Sequence, residues 1–91
     1  MSNLSKSIGV NVYAINPKNA SDPIDLFTSF PAEDNIFSRK KYLIDSIENG
    51  SWREWSGTVR RSQIQTAIDN GWTVGVRLAM FEHGVELTPK A

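Results

Sequence analysis

Trp52 and Trp55 stand three residues apart with Arg53 between them, and Arg60 and Arg61 follow closely. These are the side chains best equipped for recognition chemistry. An indole buries a large, rigid apolar area, and a guanidinium offers five directed donors, so the two types dominate binding hot spots. A second basic run, Arg39, Lys40 and Lys41, lies upstream. Two readings of recognition follow. Trp52, Arg53, Trp55, Arg60 and Arg61 would form a surface for a protein partner. Alternatively, Arg39, Lys40 and Lys41 would join Arg60 and Arg61 on phosphates while the tryptophans stack on bases. The acids Asp45 and Glu48, on the same stretch as the basic run, weaken the second reading. A third use is structural: the two tryptophans would close one end of a thin core, leaving Arg60 and Arg61 solvated.

Catalytic chemistry has less to work with. His83 is the only histidine, and it sits between Glu82 and Gly84 where a turn is expected. The chain has no Gly-x-Ser-x-Gly elbow, and neither phosphate-cradling pattern, Gly-x-x-x-x-Gly-Lys or Gly-x-Gly-x-x-Gly, is present. For metals, Glu82, His83 and Glu86 would alternate faces on a hairpin and make a poor cage. Asp22, Asp25, Glu33 and Asp34 lack the oxygen spacing and central glycine of a calcium loop. No catalytic residue, metal ligand or cofactor is therefore assigned, and the expectation is a protein that is not an enzyme.

The charges look uninformative until they are located. Ten Lys and Arg balance ten Asp and Glu. Residues 1–38 hold two bases (Lys6, Lys18) against four acids, a net of −2. Residues 39–61 hold six bases against three acids, a net of +3, and residues 62–91 hold two against three, a net of −1. The balance excludes a general polyanion coat but leaves a locally basic, tryptophan-bearing middle.

Elements must now be found to position that middle. Ninety-one residues fit one domain and one thin core layer. With no cysteine, disulfides and thiolate-held metals are excluded. No apolar run reaches membrane-spanning length, and Met1 to Val10 lack the apolar stretch of a signal peptide, so an intracellular, cytoplasmic place is expected, with no membrane partner. Residues 1–7 read as a flexible tail and 8–91 as the domain.

Ile8, Val10, Val12 and Ala14 alternate with Gly9, Asn11 and Tyr13, which predicts a strand at 8–15 ended by Asn16-Pro17. Residues 16–35 are irregular. Ser21-Asp22-Pro23 there reads as a short helix start, with a strand as the competing reading. Ile36, Leu43, Ile44 and Ile47 predict a helix at 36–49, capped by Asp34 or Asn35 and ended by Gly50. A capping box of Ser62 and Gln65 predicts a second helix at 62–70, closed by Asn70-Gly71 with Trp72 packed back on its last turn. Val74, Val76, Leu78 and Met80 predict a strand at 72–82, followed by a return strand at 85–88.

The sum is an α+β two-layer sandwich: a small antiparallel or mixed sheet packed by two helices. The strand at 8–15 carries no charge, so it needs a central place in the sheet or a partner at an exposed edge, and a homodimer is the partner that edge invites. The expected function is a small protein-binding module, acting as an inhibitor, adaptor or accessory subunit of a larger bacterial or viral assembly. The alternative is a nucleic-acid-binding regulator using the basic 39–61 segment.

Overall fold

The structure is a computed structural model that describes residues 6–30, 35–82 and 85–87. Its core begins with the alternation at the N-terminal strand, β1 (Lys6–Ile15), where Val10, Val12 and Ala14 are wholly buried. β1 runs antiparallel to β3 (Thr73–Glu82), from Lys6 opposite Glu82 to Ile15 opposite Thr73. On its other side it pairs with β2 (Ile24–Ser29), and β4 (Val85–Leu87) adds to the end of β3. The sheet order is β2-β1-β3-β4, all antiparallel. The uncharged 8–15 stretch thus has the central place that its composition required, paired on both sides from Val10 to Ala14.

Two helices cover one face. α1 (Ile36–Asn49) and α2 (Thr58–Asp69) are joined by a 3₁₀ turn at Ser51–Glu54. Leu43 of α1 packs with Val10 and Val12, and Ile36, Ile47, Leu26, Phe27, Trp55, Val74, Val76 and Leu78 close around them. This is the two-layer α+β architecture expected from the sequence. α1 matches its predicted bounds, and Gly50 (φ 85°) supplies the left-handed residue that ends it. Asn35 precedes the helix but makes no side-chain cap bond, and Asp34 lies outside the described residues.

Two expectations need correction. The Asp22-Pro23 helix start does not form: a 3₁₀ turn at Pro17–Asn19, capped by the Asn16 side chain accepting from the Lys18 N–H at 3.0 Å, leads into β2. The competing strand reading is the one that forms, although its register shifts between Val12 and Tyr13, where Val12 faces Phe27 and Tyr13 faces Asp25. Leu26 is the extra residue of a bulge, so Leu26 and Phe27 both pack on the core and strict alternation is lost. Finally, α2 starts at Thr58, four residues before Ser62, so the Ser62–Gln65 capping box does not exist. The Arg61 N–H already donates to the Gly57 carbonyl at 3.0 Å, and Gln65 bonds Asp69 instead.

The far end of α2 closes as expected. Gly71 (φ 78°) donates to Ile68 O and Trp72 to Ala67 O, both at 2.9 Å, which is a Schellman motif. β1 begins two residues before its predicted start. Residues 1–5 of the expected tail, together with His83 and Thr88, lie outside the described residues.

The opposite face of the sheet carries no helix, yet its centre is buried by cross-strand side chains. Asn11, 1% exposed, donates to Asp25 Oδ1 at 2.6 Å and accepts from the Thr28 hydroxyl at 3.1 Å. Arg77 pairs with Asp25 at 3.0 Å and lies over the Tyr13 ring. The Tyr13 ring in turn covers Gly75: a methyl there would sit 2.6 Å from it. Aromatic rings laid over strand glycines restore packing that the missing side chain gives up.

Candidate functional site

The aromatic connector is a tight turn with a purpose in each residue. Gly50 reverses the chain, the Ser51 N–H donates to Asn49 Oδ1 at 2.8 Å, and the Trp55 N–H closes the turn on Trp52 O at 3.1 Å. Trp52 lies inside the turn and points inward, only 2% exposed, with the Arg53 guanidinium 4.7 Å over its ring. Trp55 is extended (φ −64°, ψ 148°), so the chain leaves the turn there. The sequence reading grouped both tryptophans as contact surface. The structure separates them: Trp52 is a core side chain whose remaining surface lines a small pocket with Arg53 and Arg61, and Trp55 is half-buried beside a larger cleft.

Around Trp55 the elements converge. Its ring meets Phe27 of β2 edge-on at 6.2 Å and stacks on Tyr42 of α1 at 6.5 Å, with 26° between the planes. Arg60, from the first turn of α2, lies 5.1 Å over Phe27, and Arg39 lies 5.8 Å from the centre of Tyr42. The result is a continuous row, Arg39–Tyr42–Trp55–Phe27–Arg60, with a guanidinium at each end and three rings between. Aromatic pairs in these geometries and cations over ring faces are each favourable by about 0.5–1.5 kcal/mol. The row therefore fixes side chains from α1, the connector, β2 and α2 relative to one another.

Beside this row opens a cleft of about 490 Å3, lined by Arg39, Tyr42, Leu43, Trp55 and Arg60, with Ser29, Ser56, Gly57 and Glu54 completing it. Tyr42 is 50% exposed. Arg39 makes no hydrogen bond or ion pair among the described residues, and Arg60 makes one long bond, 3.5 Å to Thr28 O. Glu54 is the one acid in the lining and pairs with neither. The Trp55 indole N–H is buried with no acceptor among the described residues, an uncompensated donor.

The other expected residues fall elsewhere. Arg61 is structural: its guanidinium donates to the Trp55 carbonyl and, at 3.3 Å, to the Thr58 hydroxyl, so it holds the connector against α2. Arg53 lies over Trp52 and, with Trp52, Arg61, Ser62 and Gln65, lines a separate, smaller pocket of about 250 Å3. The run Arg39-Lys40-Lys41 is divided, because successive helical residues point about 100° apart. Arg39 enters the cleft, Lys40 is half-buried near the apolar stripe, and Lys41 binds Asp45 at 2.8 Å on an exposed surface. That hydrogen bond and the carboxylate charge raise the Lys41 pKa. No continuous basic stripe results.

Tyr42, Phe27, Ser29 and Glu54 were not singled out from the sequence. The Arg39–Tyr42 spacing of three, which places both on one flank of α1, was the available clue.

A second groove, about 370 Å3, lies along Leu26, Val59, Ala67 and Trp72, and no charged side chain lines it. There Gln63 donates to the Leu26 carbonyl at 2.9 Å, satisfying an acceptor on β2. No group of three metal-ligating side chains exists among the described residues. Glu33, Asp34 and His83, invoked for metals or catalysis, lie outside them. Among the described residues no helix is long and apolar enough to cross a membrane. Comparison with protein-family models, curated proteins and solved structures finds no match.

Proposed function

We propose that this chain is a small, non-enzymatic protein-binding module, an adaptor, inhibitor or accessory subunit, and that its partner docks in the cleft between α1, the aromatic connector and α2. One observation carries the reading: Arg39, Tyr42, Trp55 and Arg60, drawn from separate stretches of sequence, line a single cleft and are pinned there by mutual stacking. Tyrosine, tryptophan and arginine held rigid around a concavity are the composition of a hot spot, because little side-chain entropy is left to lose on binding.

Nucleic-acid binding is the weaker reading. A strand-tracking surface needs several cations in line with exposed stacking rings. Here Lys41 is paired with Asp45, Lys40 is half-buried, Trp52 is covered, and Glu54 sits in the cleft. Self-association at a sheet edge, also expected from the sequence, loses its main motive because β1 is paired on both sides.

The test is capture of the native partner from a lysate of the source organism by wild-type protein and by the double variant R39E/R60E. Both side chains are exposed, so the variant should keep its fold by circular dichroism and lose the captured protein. Equal capture by a folded variant would move the docking site elsewhere.

A further inference from the structure

We propose that the cleft recognises an acidic side chain of its partner, carried on a peptide segment that also lays an apolar residue against the Tyr42–Trp55 wall. This rests on the reading of the cleft as a protein-docking site and adds the chemistry of what enters it.

The argument starts from how the two arginines are held. Stacking on a ring uses the face of a guanidinium and leaves its edge, where the N–H donors project, available for a planar acceptor. The Arg39 guanidinium lies 5.8 Å from the centre of the Tyr42 ring and that of Arg60 5.1 Å from the centre of Phe27, at opposite ends of the aromatic row. Neither has a carboxylate partner among the described residues, although Glu54 lines the same cleft. Two cations against one anion leave the lining net positive. A carboxylate is the ligand group whose two oxygens match a guanidinium edge, and such charge-assisted pairs are about twice as strong as neutral hydrogen bonds. The adjoining wall is aromatic and aliphatic, Tyr42, Trp55 and Leu43, and gains nothing from a bare anion. It is satisfied by an apolar neighbour on the same segment.

Size favours a peptide as well. A cleft of about 490 Å3 takes a few side chains rather than a polymer backbone.

The experiment titrates the protein with an acetylated, amidated hexapeptide of alternating Glu and Leu, read by calorimetry and by the Trp55 indole N–H resonance, which W55F identifies. Replacing each Glu of the peptide by Gln should weaken binding about tenfold or more, as should R39E or R60E in the protein. A Lys–Leu hexapeptide should bind R39E/R60E better than it binds wild type. Binding should be level from about pH 8 to about pH 5.5 and fall near pH 4, where carboxylates take up protons.

Three results would overturn the proposal. The first is equal affinity for the Glu and Gln peptides. The second is displacement by inorganic phosphate at the peptide's own concentration, which would make this a site for free anions. The third is tighter, steeply salt-dependent binding of a single-stranded oligothymidylate. If these peptides fail while R39E/R60E still abolishes capture of the native partner, the docking site stands and only the acidic ligand is wrong. If capture is also unaffected, the cleft itself is wrong.

Discussion

Replacing Trp52 by alanine separates a core tryptophan from a contact tryptophan. Its side chain is 2% exposed, inside the turn that joins the two helices, with Arg53 laid across its ring. Truncating a buried Trp to Ala removes its transfer free energy and leaves a cavity, about 3–5 kcal/mol in comparable cores. A chain of 91 residues is stable by about 5–14 kcal/mol at the usual per-residue values. The loss is therefore a large fraction of the total. For a domain of this size each kcal/mol moves the melting temperature by about 4–8 °C, so W52A should melt at least ~12 °C below wild type. Trp55 is only half-buried, and W55A should cost distinctly less. Thermal and urea melts followed by circular dichroism measure both. If W52A melted within about 4 °C of wild type, or if W55A were the more damaging change, the assignment of Trp52 to the core would be refuted.

Other substitutions test the frame. Gly75→Ala puts a methyl 2.6 Å from the Tyr13 ring, which must lift from beneath Arg77, and should destabilise by about 1–3 kcal/mol. In a Tyr13→Ala background the same change should cost much less, a coupling that a double-mutant cycle of urea melts reads directly. Gly71→Ala meets no atom within 4 Å, so its cost is backbone strain alone at φ 78°, about 1–2 kcal/mol by denaturant titration. Asn11→Ala leaves the Thr28 hydroxyl without its acceptor and takes a donor from Asp25, which should cost about 1–3 kcal/mol in the same assay.

Where local physics decided the outcome, the sequence could be read. Leu43 and Ile47 on one face and Gly50 beyond them marked α1, and Asn70-Gly71-Trp72 spelled out the closing motif of α2. The alternation of β3 was plain as well. Elements were lost where a tertiary contact overrode the local pattern. The bulge at Leu26 turned two consecutive side chains inward, and Pro23 after an aspartate imitated a helix start. At α2 the cap is Gly57, which has no side chain to announce it.

The site was legible in the same uneven way. Trp55, Arg60 and Arg39 were each named as recognition residues. That they share one cleft depends on Tyr42 and Phe27, which come from α1 and β2 and have no sequence pattern linking them to the connector. The opposite fates of Trp52 and Trp55 come from tertiary packing, Trp52 buried in the turn and Trp55 set against Tyr42 and Phe27, which spacing alone does not encode.

The central claim, that a protein partner occupies this cleft, is tested most directly by where the partner can be trapped. A photo-crosslinking residue at Ser56, exposed on the cleft rim, is compared with one at Lys18, exposed on the turn before β2. Irradiation of the complex should give a covalent adduct with the native partner from position 56 and none from position 18. An adduct from position 18 alone, or equal yields from both, would contradict docking in the cleft.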